Sequence, residues 1–344
     1  VSDLAMGRRG AEKRLLSRLE ARPAPGRDER ALGWAMLCAE HFRRLRYADG
    51  MRSCTMADSI EPGAAATVIG LMAGLAGEPV LAWTQQGVRI PLQTRAVAKV
   101  SAGNATIDAI VDTGAELAVV TETAARRLGG RPVGSDVRRG TTTNAVSGGM
   151  VMFEALRIGD GELRNLPAVV LADAELAPAE VEMILSLPVL VSAGRAAFLD
   201  HGAMLALGEA APPLGAATTP LFWNESGLGF TADFAGGRRG VHLDTGSERT
   251  SLFPIAGPAL SDAERQTRVA AQRRIAGLGG QRTEQGAEFR DVVITIAGRA
   301  WTFPTIEMAE RNEDGDAARI GLGLFRQART VVLDFEKMQM SLGD

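Results

Sequence analysis

Two aspartates occupy the same local setting, Asp112-Thr113-Gly114-Ala115-Glu116 and Asp244-Thr245-Gly246-Ser247-Glu248, 132 positions apart. Each follows an apolar approach, Ile110-Val111 in one case and Val241-His242-Leu243 in the other. Two carboxylates held about a hydrogen bond apart cannot both ionise, so they share one proton. Such a pair activates a water as general base and protonates a leaving group as general acid. That chemistry needs no metal, no cofactor and no covalent intermediate. The surrounding residues suit it: the apolar approach buries a strand, the Asp ends it, and the Gly lets the backbone turn close to the carboxylate. The Thr hydroxyls of Thr113 and Thr245 can each hydrogen-bond across to the opposite loop and lock the two face to face.

The repeat extends beyond the motif. Leu187–Leu190 recurs as Leu322–Phe325, and Leu207-Gly208 recurs as Leu342-Gly343, both at a spacing of 135. The chain therefore contains one unit twice, and each copy supplies one aspartate.

On these residues the chain resembles the pepsin and retroviral aspartic protease superfamily, in a single-chain bacterial form with two retropepsin-like lobes, over roughly residues 88–344. The resemblance implies a mainly β fold of two pseudo-twofold-related β-barrel lobes behind an α-helical N-terminal segment. The expected division is residues 1–85 for that segment, 86–210 for the first lobe, 211–220 for a Pro/Ala-rich linker and 221–344 for the second lobe. Strands are expected at 95–100, 155–158 and 166–171, with a closing hairpin over 196–207. The second copy repeats them at 229–234, 292–296, 300–306 and 330–342. The Gly-rich stretches with Val146, Ser147, Gly148 and Gly149, and with Gly279 and Gly280, look like hairpin flaps whose glycines would serve as hinges. The lone tyrosine, Tyr47, lies outside both lobes, so the flap looks retroviral rather than pepsin-like. Members of the family pass a hydrophobic-hydrophobic-Gly segment beneath each aspartate loop. Arg319-Ile320-Gly321 matches that pattern in part, and Ile184-Leu185-Ser186 has Ser in place of Gly.

Ile110 and His242 stand two residues before their aspartates, so on a strand they point to the carboxylate's side. His242 is either a satisfied histidine of the lobe interior or a subsite wall. Glu116 and Glu248 are read as solvent-facing or arginine-paired, with direct contact to substrate as the alternative. The residue after each motif differs: Ser247 offers a hydroxyl to Asp244, and Ala115 offers none to Asp112. Pepsin-like members tend to carry hydroxyls at both places and retroviral ones alanines, so by the resemblance one of each implies a mildly acidic optimum, roughly pH 4–6.

The N-terminal part differs in composition. A helix is expected over 11–20, a break at 23–26, a second helix from Asp28 to about Tyr47, a turn at Asp49-Gly50 and a third helix over 51–60. Cys38 and Cys54 flank that turn, which allows one disulfide or two reduced core thiols. An even, minimal cysteine count suits an exported protein, periplasmic or secreted. Residues 64–77 are uncharged but fall short of a membrane span, so a buried helix or strand is expected and membrane contact is not.

Competing chemistries find no support. A net charge of −3 with scattered arginine pairs argues against a nucleic-acid surface. His41, His201 and His242 are dispersed and form no zinc-hydrolase signature. Gly321-Leu322-Gly323 opens like a dinucleotide fingerprint but has Arg326 where the third glycine belongs. The expected partner is a peptide or protein substrate lying extended between the lobes, and a monomer suffices because one chain holds both aspartates. Two alternatives stay open: a silent peptide-binding pseudoprotease, and a zymogen whose residues 1–85 cover the cleft.

Overall fold

A computed structural model describes residues 2–6, 10–21, 26–63, 65–140, 145–224, 227–278, 280–311 and 315–343. Five helices come first: α1 (Ser2–Ala5), α2 (Ala11–Leu19), α3 (Arg27–Arg43), α4 (Tyr47–Ile60) and α5 (Ala66–Ala73). Leu15 and Leu19 form the buried face of α2. Leu19 fits against α3 because Gly33 has no side chain; a Cβ there would sit 2.8 Å from Leu19 Cδ2. The α3–α4 reversal falls earlier than the sequence suggested. It occupies Arg44–Arg46, with Leu45 at a φ of 53°. Asp49 and Gly50 lie inside α4 instead of forming a turn. Asp49 belongs in the helix's first turn, where a carboxylate is favoured, and it pairs with Arg46 at 2.6 Å. Gly50 makes room for α5, since a Cβ there would meet Met72 Sδ at 2.1 Å. A disulfide joins Cys38 on α3 to Cys54 on α4. The uncharged stretch supplies α5, whose Leu71 and Met72 are buried. No helix among the described residues is long and apolar enough to cross a membrane.

The first lobe follows as β1 (Ala82–Trp83), β2 (Gly87–Pro91), β3 (Val97–Ala102), β4 (Ala105–Asp112), β5 (Ala118–Thr121), β6 (Arg131–Gly140), β7 (Ala145–Ile158), β8 (Gly161–Leu171) and β9 (Met183–Ser186). Strands β8, β5, β9, β4, β3 and β7 pair in that order, and β7 returns to β8, which closes a six-stranded barrel. β1 lies within residues 1–85 yet pairs with β8, so the helical segment hands over to the lobe's sheet before position 86.

Next come β10 (Arg195–Leu199), β11 (Met204–Gly208), β12 (Thr218–Asn224), β13 (Gly227–Phe234), β14 (Gly237–Leu243), β15 (Ser251–Leu252), β16 (Val269–Gly277), β17 (Gly280–Ile296), β18 (Arg299–Met308), β19 (Ala318–Ile320), β20 (Thr330–Asp334) and β21 (Gln339–Gly343). The second lobe repeats the first strand for strand. β13, β14, β19, β15, β18 and β17 pair in sequence, and β17 reaches back to β13 at Thr295 and Asp233. In each barrel the aspartate strand runs parallel to the segment beneath it, β4 with β9 and β14 with β19.

Six further strands build one antiparallel sheet under both lobes, in the order β2, β11, β10, β20, β21, β12. Thr218–Pro220, assigned above to the linker, pair with β21 as part of it. Ala197 faces Val332 at its centre, and these two positions are themselves 135 apart. The pseudo-twofold axis of the duplication therefore passes between β10 and β20. Apolar side chains from both barrels, the shared sheet and the helices merge into one buried cluster, so lobes and helices are held as one body by apolar burial.

Candidate active site

The last residue of β4 is Asp112, and Asp244 directly follows β14. The two turns interlock. Thr113 Oγ1 donates to the carbonyl of Leu243 at 3.0 Å, and Thr245 Oγ1 donates to that of Val111 at 2.7 Å. Each hydroxyl also accepts from the other threonine's backbone N–H at 3.0 Å. Both threonines are fully buried, so every polar atom of this cross-brace depends on the opposite lobe.

The glycines let the loops meet. A Cβ on Gly246 would lie 2.4 Å from Asp112 Oδ2, and one on Gly114 would lie 2.8 Å from Asp244 Oδ1. The Gly114 N–H donates to Asp112 Oδ1 at 2.7 Å. Burial pushes the Asp112 carboxyl up to about 8; the Asp244 charge and a side-chain hydrogen bond with Asp244 add to the rise, against the Gly114 and Gly246 N–H groups. The pair is thus arranged to keep a proton well above the ordinary carboxylate range.

The surroundings are less symmetric than the backbone. Across the β4–β9 ladder Ile110 faces Ile184, whereas across β14–β19 His242 faces Arg319. Arg319 Nε lies 3.3 Å from Asp244 Oδ2 and its guanidinium stands 6.0 Å from the Phe253 ring. Sequence reasoning missed Arg319 as a site residue. The signal was the arginine itself, at a position where the crossing-segment pattern calls for an apolar side chain. Ser247 also behaves differently from expectation: its hydroxyl donates to the Arg249 carbonyl at 2.8 Å, so its one hydrogen is directed away from Asp244. Beneath the loops, Gly321 is required because a Cβ would meet the carbonyls of Ser247 and Arg249 at 2.5 Å. The first lobe accepts Ser186, buried opposite Asp112.

Glu248 pairs with Arg95 of the first lobe at 2.6 Å. Arg95, expected on a strand, instead sits in a short turn at a φ of 69° just before β3. Glu116 meets a cation from the helices. Arg43 of α3 stacks on Trp223 at 5.2 Å and donates to the Asn224 carbonyl at 2.9 Å. Burial lowers the pKa of Arg43, and the Glu116 and Glu40 charges oppose that shift.

Two hairpins belong to the barrels. β6 and β7 form one, with residues 141–144 of its tip outside the described residues. Val146, Ser147, Gly148 and Gly149 lie on β7, not at the reversal. Gly148 serves a close crossing: a Cβ there would strike the Val170 carbonyl at 1.7 Å. β16 and β17 form the second hairpin, turning between Gly277 and Gly280; Gly279 lies outside the described residues. Among the described residues no group of three or more His, Cys, Asp or Glu is placed to hold a metal ion.

Residues 97–189, from β3 to the segment just after β9, match the aspartyl protease family. This stretch is thus similar to retropepsin- and pepsin-like aspartic proteases, and the match supports a hydrolase of the protease class acting on peptide substrates. It spans the first aspartate; the second lobe is related to it by the repeated strand order. No curated protein matches the chain.

Proposed function

We propose that the chain is an aspartic endopeptidase in which Asp112 and Asp244 hydrolyse a peptide bond through one activated water. The observation that supports this most is the pair itself: two loops from two barrels, braced by Thr113 and Thr245, with one carboxyl held protonated toward neutral pH. The ionised carboxylate takes a proton from water as the water oxygen attacks the peptide carbon. The protonated carboxyl gives its proton to the carbonyl oxygen, which yields a neutral gem-diol. On collapse one diol hydroxyl returns its proton, the C–N bond breaks, and the nitrogen leaves with the proton first taken from water. The pair ends as it began. Substrate lies extended in the interlobe cleft beneath the β6–β7 and β16–β17 hairpins, adding a strand to their edges.

The helices are read as a permanent brace in a monomer. They are tied to the second lobe through Arg43 and Asn224, and the segment that follows α5 is tied to the first through Glu78 and Arg131 at 2.7 Å. The Cys38–Cys54 bridge favours an oxidising compartment, periplasmic or extracellular. Asp112→Asn and Asp244→Asn are expected to abolish cleavage of a peptide library by the full chain while preserving the far-UV circular dichroism spectrum. Turnover near wild type in either variant would remove the dyad. A silent peptide-binding role draws on one observation, the cation resting against Asp244; it predicts no cleavage by the wild-type chain at any pH.

A further inference from the structure

Duplication gives the two aspartates the same backbone but not the same neighbours. Beside Asp112 the strand and its crossing partner present Ile110 and Ile184; beside Asp244 the equivalent places hold His242 and Arg319. Arg319 is largely buried, with 22% of its side chain exposed, and Asp244 is more so at 14%. An ion pair this shielded from water is screened far less than one at the surface. The cation lies against the Asp244 carboxylate.

We infer that Arg319 sets the division of labour in the dyad, holding the negative charge on Asp244 and leaving the shared proton on Asp112. Arg319 is thereby a positioning residue for charge: it does not handle the water, but it decides which carboxyl does. The catalytic part of this inference rests on the peptidase function proposed above. Asp244 then takes the proton from the attacking water, and Asp112 donates to the substrate carbonyl oxygen. The elevated pKa of Asp112 agrees with that order.

The other charged groups around the loops are engaged elsewhere. Glu248 is paired with Arg95. Glu307, on β18, is paired with Arg249 and, at 3.3 Å, with Arg273; Arg273 also holds Glu284 at 2.6 Å. Glu116 acts on Arg43 from the first-lobe side. His242 is a titratable side chain directly across the ladder from Arg319, so it needs its own control.

Two measurements on the full chain test the assignment. In Asp112→Asn the remaining Asp244 is titrated by carboxyl carbon NMR, alone and combined with Arg319→Gln. Loss of the cation is expected to raise the Asp244 pKa by about one unit or more. This readout requires no activity, so it separates failure of the inference from failure of the peptidase function. In the otherwise wild-type chain, Arg319→Leu and Arg319→Gln are expected to move the acid limb of the pH–rate profile, which follows Asp244, upward by more than the basic limb, which follows Asp112. Arg319→Lys, which keeps the charge, restores most of the original profile. If Asp244 titrates at the same pH with and without Arg319, or if His242→Asn alone reproduces the whole displacement, the inference is overturned.

Discussion

Thr113 and Thr245 each place a hydroxyl under the other's strand, at 3.0 Å from the Leu243 carbonyl and 2.7 Å from the Val111 carbonyl. Each thus holds the opposing aspartate loop by its backbone. Valine at either position matches the shape but leaves a buried carbonyl without its donor and an N–H without its acceptor. The cost is expected at about 1–3 kcal/mol for each substitution, because a buried group loses its partner outright. Urea unfolding of Thr113→Val and Thr245→Val measures it. A double variant no worse than either single would show that the two hydroxyls act as one unit.

Ser247 differs from Ala115 by a hydroxyl, yet that hydroxyl serves the Arg249 carbonyl. Ser247→Ala is therefore expected to leave the basic limb of the pH–rate profile in place, within a few tenths of a unit. A clear upward displacement would mean that the hydroxyl turns toward Asp244 in the working enzyme.

The raised pKa of Asp112 also links stability to pH. The folded chain holds that proton up to about 8, whereas the unpaired carboxyl releases it near 3.8. Between those values the unfolded chain binds fewer protons than the folded one, so stability falls as pH rises. Below about 3.8 both states are protonated and this penalty vanishes. Asp112→Asn cannot ionise, so it is expected to melt higher than wild type at pH 7 and to lose that advantage near pH 4. Thermal melts of both proteins across this range check the sign. Equal melting at every pH would show that no proton is retained.

Cys38 and Cys54 close a short loop within the helices. Breaking it with Cys38→Ser is expected to cost about 2–4 kcal/mol, mostly through a freer unfolded chain. Intact mass after alkylation without reductant gives the state directly. Two modified thiols in the native protein would contradict the bridge.

Much of this arrangement was legible in the chain because duplication prints its own evidence. A spacing of 132 between the motifs and 135 between the closing segments places the aspartates, crossing strands and final hairpins as equivalents. What escaped depends on contacts between residues far apart in sequence. Gly50 reads as a turn until Met72 is seen to need its missing side chain. Gly148 reads as a hinge until Val170 crosses it. Arg319 reads as an imperfect motif until β19 lies under Asp244. The docking of Arg43 on Trp223 joins positions 180 apart with no shared pattern.

The interlocked threonines also impose an order in time. A chain lengthens from its N-terminus, and early domains begin to fold while later ones are still being made. The first barrel has all its strands by Ser186, well before Leu243 and Thr245 exist. Until they arrive, Thr113 has neither its carbonyl nor its N–H partner, and Asp112 has no second carboxyl. A nascent or truncated chain therefore carries half a site with a loosely held loop. The pair forms only when synthesis has passed the second motif, so it reports that both copies of the repeat have reached their aspartates.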